Sequence, residues 1–235
     1  MSEPGRKRGR ERVYDAQRTR EAILNAAEAV FAEHGFDGTS VDAVAAQAGY
    51  NKSLLFQYFG NKLGLYAEAL KRADRDMGEL LARVFAPLLS DETITSDANH
   101  WRHFLRTTFG ALFDYMVEHP HVMRMLNWEQ AEGWQTLAQI ASHFEPTDLA
   151  RLEALFESAR RAGLLRPDLD VVVMVVLVQQ ICWSSAAALP LYQSSLAGRN
   201  FSSATALTHV REQIIDFLIS GIMSNAGNEN RGEQR

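Results

Sequence analysis

The segment from residue 39 to residue 62, TSVDAVAAQAGYNKSLLFQYFGNK, constrains the fold more than any other stretch of this chain. Gly49 lies where a first helix should end, because glycine readily takes the left-handed conformation that closes many helices. Asn51 is a favourable N-cap for a second helix about three residues later. The first helix shows one apolar face at i, i+3, i+4 and i+7 spacing: Val41, Val44, Ala45 and Ala48. Two short, steeply crossing helices are therefore predicted.

Polar side chains cover the start and outer side of the predicted second helix, whereas Leu55 and Phe59 face inward at i, i+4. Thr39 and Asp42 resemble a capping box, so the first helix should begin near Ser40. This layout is typical of a helix-turn-helix DNA reader, and the alternative is a generic helix pair with a polar solvent face. The outer residues are of types that donate to phosphates and base edges: Asn51, Lys52, Ser53, Gln57 and Tyr58.

The flanks and the charge distribution favour the DNA reader. Residues 15–34 predict a bracing helix that ends at Gly35. Residues 1–14 form an expected disordered basic arm, in which Arg10 and Arg12 could neutralise phosphates, unless the arm is only a soluble tail. The whole chain has 24 basic and 29 acidic residues, but residues 1–72 hold 11 basic and 9 acidic ones. A nucleic-acid partner would therefore bind the N-terminal third.

From Thr19 to Leu70 the chain resembles the DNA-binding domain of TetR-family transcriptional repressors. The match covers about the first 70 of 235 residues. The resemblance implies an all-α protein in which a three-helix DNA-binding domain is followed by a helical domain for ligand binding and dimerisation. The matching residues are Ile23, Ala26, Ala27, Phe31, Gly35, Phe36, Thr39, Ser40, Val41, Val44, Ala45, Ala48, Gly49, Phe56, Tyr58, Phe59, Asn61 and Lys62.

Several residues depart from the family pattern where DNA is read. Leu54 stands where Thr or Ser is usual, and a leucine can contact a thymine methyl group but cannot hydrogen-bond a base. Leu63 and Gly64 replace the residues that usually follow Asn-Lys, which should weaken the start of the fourth helix. By resemblance, the phosphate contacts are expected from Thr39, Ser40, Tyr58 and Lys62. The candidates for the groove face are Asn51, Lys52, Ser53, Leu54 and Gln57.

The remainder of the chain predicts an all-helical second domain, because helical periodicity recurs without sustained strand-like alternation. We divide the chain into the basic arm, a DNA-binding domain at 15–66, a helical domain at 67–223 and a disordered tail at 224–235. One long connecting helix is expected from Asn61 to Ala86, stopped by Pro87.

Two C-terminal helices are predicted to form a homodimer interface. The run VVVMVVLV at 171–178 is apolar on all sides and is expected to be buried; it is too short to span a bilayer. As in the family it resembles, pairing with a second copy is expected, and the alternative is packing within one domain. The interface candidates are Val175, Leu207, Val210, Ile214, Phe217 and Leu218.

Large aromatic and sulfur-containing side chains suggest a cavity for a small apolar or amphipathic ligand, although such residues at helical spacing are also typical of an ordinary core. A ligand that tilts the connecting helix would move two readers out of register on a palindromic operator. The candidate ligand contacts are Trp101, Phe104, Thr108, Met123, Trp128, Trp134, Gln179 and Trp183.

Other functions find little support. The chain has a single cysteine, Cys182, and neither a phosphate loop nor a dinucleotide fingerprint, so we expect no enzyme activity, no cofactor and no metal site. A cytoplasmic, nucleoid-associated protein that binds double-stranded DNA as a homodimer, without a membrane, is the main hypothesis. The alternative is a helical interaction protein or a constitutive DNA-binding module that senses no ligand.

Overall fold

The computed structural model describes residues 4–90, 97–141, 149–195 and 204–224, and within them the chain is helical apart from turns and one isolated bridge, Leu165 to Met223. The all-α prediction is confirmed. The helices in these residues are α1 Pro4–Gly38, α2 Val41–Ala48, α3 Lys52–Phe59, α4 Lys62–Ser90, α5 Ala98–Glu118, α6 Pro120–Ala131, α7 Gln135–Ile140, α8 Leu149–Arg161, α9 Val171–Ser195 and α10 Ala204–Ile222.

The helices form two compact units whose boundaries differ from the predicted division at residue 66. Unit 1 comprises residues 1–76 and 120–145, and unit 2 comprises 77–119 and 146–235. Helices α6 and α7 therefore belong with the helix-turn-helix, because Met125 and Ile140 are buried in the same apolar core as Phe31. Sequence periodicity identifies the buried face of a helix but does not identify its partner.

Two helix boundaries correct the predictions. The backbone is helical from Pro4, so residues 4–14 extend α1 where a disordered arm was expected; their Arg, Lys and Glu residues are good helix formers. Helix α4 passes through Pro87 to Ser90, although proline supplies no amide to the helix ladder. The side chains of Arg10 and Arg12 lie outside the described residues, as does the predicted tail after Ser224.

Side-chain caps explain where two helices of unit 2 begin. The Asp97 carboxylate accepts hydrogen bonds from the amides of Asn99 and His100 at 2.7 and 2.9 Å, which starts α5. These bonds hold the pKa of Asp97 below its ordinary value. Asp170 starts α9 in the same way, since its carboxylate accepts from the Val173 amide at 2.9 Å.

Helix α9 is less buried than its composition predicts. Met174, Val178 and Cys182 are buried, whereas Val173 and Leu177 are each 54% exposed. The prediction that this helix is buried on all sides is therefore wrong within one chain. Among the described residues, the stretch Val171–Leu189 is the one helix that is long and apolar enough to cross a bilayer by length and composition alone.

Candidate nucleic-acid interface

The turn before α2 is fixed by two hydroxyl groups with different roles. Ser40 is the N-cap, and its Oγ accepts a hydrogen bond from the Ala43 amide at 3.1 Å. Thr39 is only 4% exposed, and its hydroxyl donates to the Gly35 carbonyl at 2.7 Å. Its bonded, buried hydroxyl cannot hold a phosphate, so the phosphate assignment of Thr39 is corrected to a structural role, while Ser40 remains exposed.

Helix α3 is capped as the sequence predicts. Gly49 takes the left-handed conformation with φ 73°, and the Asn51 side chain accepts from the Leu54 amide at 2.9 Å. Leu55 and Phe59 are 1% and 8% exposed and fix the inner side of the helix. Because its carbonyl oxygen is used by this cap, Asn51 would offer DNA only the donor side of its amide.

Four side chains occupy the exposed side of α3: Lys52, Ser53, Phe56 and Gln57. Three of them were predicted for the groove face. Leu54 and Tyr58, also predicted for DNA contact, are half-buried. Phe56 was assigned only to the family pattern, yet it is 40% exposed. On a helical projection Phe56 lies about 100° from Leu55 and about 60° from Phe59, at the edge of the buried side, so periodicity alone does not predict its exposure.

Lys52 is held at the junction of the two short helices. Its ammonium group lies 2.8 Å from the Asp42 carboxylate in α2 and 5.9 Å from the centre of the Phe56 ring. Both members of the ion pair are exposed, so water screens the pair and it contributes little to stability. The cation remains available to exchange Asp42 for a phosphate.

Lys62, predicted to hold a phosphate, lies at the start of α4. Its ammonium group lies 4.5 Å from the centre of the Phe36 ring and donates to the Asp37 carbonyl at 3.3 Å. The preceding turn explains Gly64, because an added Cβ there would lie 2.1 Å from the Phe59 carbonyl oxygen. The Asn61 side chain caps the Gly64 amide at 2.8 Å, which offsets the expected weakness of this helix start.

A buried carboxylate braces the first part of α4. Glu129 in α6 is 1% exposed and accepts from the Tyr66 hydroxyl and the Leu137 amide, both at 2.8 Å. Burial, followed by the bond to Glu129, raises the pKa of Tyr66 well above its ordinary value, which keeps the phenol a donor. The hydrogen bonds of Glu129 thus join α4, next to the helix-turn-helix, to α6 and α7.

The candidate ligand contacts divide between the two units. Met123, Trp128 and Trp134 belong to unit 1, where the Trp128 indole donates to the Ala32 carbonyl at 3.3 Å. Gly35, with φ 69° and ψ −177°, packs so closely that an added Cβ would lie 3.0 Å from the Trp128 ring. Trp128 is therefore a packing residue of the DNA-binding unit.

The other five candidates belong to unit 2, but one of them points outward. Gln179 is exposed, so it cannot anchor a ligand among the buried residues. Trp101, Phe104, Thr108 and Trp183 are each at least nine-tenths buried. Trp101 Nε1 and Thr108 Oγ1 are buried and have no hydrogen-bond partner among the residues that the structure describes, and their i, i+7 spacing places both on one side of α5.

Catalytic and metal chemistry have little basis in the described residues. Cys182 is fully buried, and burial raises the pKa of its thiol to about 12, so it is not a reactive nucleophile. In the part of the chain that the structure describes, no group of three or more histidine, cysteine, aspartate or glutamate side chains could hold a metal ion.

Comparisons with known proteins agree with this geometry. Residues 23–69 match the model described as bacterial regulatory proteins, tetR family, and residues 102–218 match the tetracyclin repressor-like C-terminal domain. The chain is 30% identical over 190 residues to the HTH-type transcriptional repressor SCO4008 of Streptomyces coelicolor, which covers 78% of this chain and 86% of that protein.

Solved structures share the fold. SCO4942 of Streptomyces coelicolor is 28% identical with a TM-score of 0.59, covering 87% of this chain and 98% of that one. FadR of Bacillus subtilis, solved with stearoyl-CoA, is 18% identical with a TM-score of 0.59, covering 86% of this chain and 98% of that one. Because both family models and a 30% identical repressor match it, the chain belongs to the TetR family of transcriptional regulators, whose members are not enzymes.

Proposed function

We propose that the protein is a cytoplasmic repressor that binds a palindromic DNA operator as a homodimer and releases it when a small apolar or amphipathic ligand binds unit 2. The exposed side of α3 carries this proposal, since Lys52, Ser53 and Gln57 present donors on a helix capped at its start and packed along its inner side. The proposal of a repressor, as opposed to an activator, is supported by SCO4008, a relative named as a repressor.

An exposed apolar surface in unit 2 supports the homodimer. On α9, Val172, Val173, Val176 and Leu177 are between 42% and 54% exposed, and Phe217 on α10 is 70% exposed. A second copy related by a two-fold axis would cover such a surface. We therefore assign this apolar helix to the dimer interface and not to a membrane.

The proposed interface differs in part from the residues that sequence periodicity predicted. Leu218 is 5% exposed and packs within its own unit, so it has little surface left for a partner. The other predicted positions on α10 retain exposed surface and remain in the proposed interface, as does half-buried Val175 on α9: Leu207, Val210, Ile214 and Phe217.

The unpartnered polar atoms of α5 support ligand binding in unit 2. A buried polar atom without a partner costs about 1–3 kcal/mol, which a ligand with a suitable oxygen atom would recover. Trp101 Nε1 can only donate, so the ligand should carry an acceptor beside its apolar part. The structural neighbour FadR was solved with stearoyl-CoA, an amphipathic molecule of this general kind.

Selection from a random duplex library tests the DNA-binding proposal directly. We expect a palindrome whose half-sites are separated by about one helical turn or a multiple of it. Lys62→Ala should weaken every sequence about equally and reduce the salt slope by about one unit, whereas Gln57→Ala should change sequence preference. Failure to enrich any duplex would overturn the proposal.

Assembly and ligand response need separate measurements. Val176→Asp and Phe217→Asp should give a monomer in sedimentation experiments, while Gln213→Asp, an exposed control on α10, should leave the dimer intact. A thermal-shift screen with acyl-CoA and related amphipathic compounds tests the sensor. A protein that responds to no ligand class and keeps its DNA would be a constitutive DNA-binding module.

A further inference from the structure

Phe56 is a large apolar side chain on the side of α3 that carries the polar DNA-facing candidates. It is 40% exposed, while the neighbouring Leu55 and Phe59 are 1% and 8% exposed. Lys52 and Gln57 flank it on the exposed surface. An aromatic ring at this place cannot donate or accept a conventional hydrogen bond, so its contribution to recognition must be apolar.

The DNA major groove offers a specific apolar partner. Thymine places its C5 methyl group on the groove edge, whereas the other bases present hydrogen-bonding atoms there. We propose that Phe56 is a specificity-determining residue that packs against the C5 methyl group of a thymine in each operator half-site. This inference rests on the proposed function, because it requires α3 to enter the major groove.

Two contacts support this role by fixing where the ring lies. The Lys52 ammonium group is 5.9 Å from the centre of the Phe56 ring, a cation–π distance that favours one ring position. Lys52 also lies at the edge of α3 that faces α2, through its 2.8 Å contact with Asp42. A phosphate contact from Lys52 would set the register of the helix, and Phe56 would then select the base.

Uracil substitution tests the contact without changing base pairing. Each thymine of the duplex recovered by selection is replaced in turn by uracil, which removes only the C5 methyl group. At one thymine in each half-site, we expect the affinity of the unaltered protein to fall about fourfold, the value of one buried methyl group. Phe56→Ala should bind the thymine and uracil duplexes equally.

The matched control is Gln57→Ala, which alters the same exposed side of α3 but should keep the fourfold uracil penalty. If Phe56→Ala binds too weakly to measure, Phe56→Leu should reduce the penalty to about twofold, because the smaller side chain buries less of the methyl group. If the variant that is measured, Phe56→Ala or Phe56→Leu, still loses fourfold in affinity on uracil substitution, the proposal is overturned.

The outcomes separate this inference from the function on which it rests. If no duplex is enriched by selection, the proposed DNA binding fails. If a duplex is enriched but no thymine shows a uracil penalty, DNA binding stands and the Phe56 contact is overturned. Phe56→Ala should also leave the salt slope unchanged, since no phosphate contact is removed.

Discussion

Two buried polar residues of unit 1 have hydrogen-bond partners, whereas two of unit 2 have none among the described residues. In unit 1, Glu129 accepts two hydrogen bonds and the Thr39 hydroxyl donates to a carbonyl, although both residues are almost fully buried. In the described part of unit 2, Trp101 Nε1 and Thr108 Oγ1 are buried and have no hydrogen-bond partner. The difference supports the proposal that a ligand binds unit 2 and not unit 1.

The exposed residues of the two units also differ, since those of unit 1 named here are polar and those of unit 2 are apolar. Unit 1 presents Lys52, Ser53 and Gln57 on α3, whereas unit 2 presents Val173 and Leu177 on α9. The N-terminal 72 residues are net positive and the remainder is net negative. The positive balance belongs to the N-terminal residues that hold the helix-turn-helix and not to unit 1 as a whole, so DNA would be attracted to that segment, while unit 2 offers apolar surface to a second copy.

Removing the buried carboxylate of unit 1 should have the largest effect. Glu129→Ala leaves the Tyr66 hydroxyl and the Leu137 amide without an acceptor, and each unsatisfied group costs about 1–3 kcal/mol. We expect the free energy of unfolding to fall by about 2–5 kcal/mol, measured by denaturant unfolding.

The control for this substitution is Glu129→Gln, which keeps an acceptor oxygen for one of the two donors. It should lose less than half as much stability as the alanine variant. Equal losses in both variants would mean that the negative charge, and not the hydrogen bonds, accounts for the effect. No loss in either variant would show that the bonds contribute nothing to the stability of unit 1.

One substitution should have opposite effects in the two units. Thr108→Val removes an unpartnered buried hydroxyl and should raise the free energy of unfolding by about 1 kcal/mol. Thr39→Val removes a bonded hydroxyl and should lower it by about 1–2 kcal/mol. Denaturant unfolding of both variants, which share the same chemical change, measures the comparison directly.

A destabilising Thr108→Val would mean that the hydroxyl is satisfied in solution, and the open site in unit 2 would lose its main support. The same variant should also weaken any thermal shift that an amphipathic ligand produces in the unaltered protein. Thr39→Val should leave that shift unchanged, because Thr39 lies in the other unit.

The helix-turn-helix is predicted well from the sequence, because its turn and capping signals depend only on neighbouring residues. Gly49 and Asn51 mark the turn by their own backbone and capping chemistry, and the structure confirms both. The capping residue before α2 is Ser40 and not Thr39, a shift of one position that also buries Thr39. Local sequence signals thus locate the helices but predict their ends only to within a residue or two.

The division into units could not be predicted, because it depends on contacts between distant segments. Met125 and Trp128 have the same apolar character whether they line a ligand cavity or pack on α1. Glu129 resembles an ordinary surface charge in the sequence, and only the fold brings it to Tyr66. The sequence analysis assigns Phe56 only to the family pattern, because an apolar residue at the edge of the buried side carries no signal of its exposure.

The smallest expected effect comes from a substitution that tests whether a cation of unit 1, once released from its ion pair, contributes to DNA binding. Asp42→Asn removes the carboxylate 2.8 Å from the Lys52 ammonium group and frees that cation for a phosphate. Affinity for all duplexes should rise by about two- to threefold, and the salt slope should steepen by at most about one unit.

The matched control for Asp42→Asn lies in unit 2. Asp168→Asn makes the same charge change and frees Arg166, whose guanidinium lies 2.6 Å from the Asp168 carboxylate. Because unit 2 should not contact the operator, this variant should leave DNA affinity and salt dependence unchanged in the same titration. Equal gains from both variants would mean that net charge alone governs binding, and the distinction between a DNA-reading unit and an acidic second unit would fail.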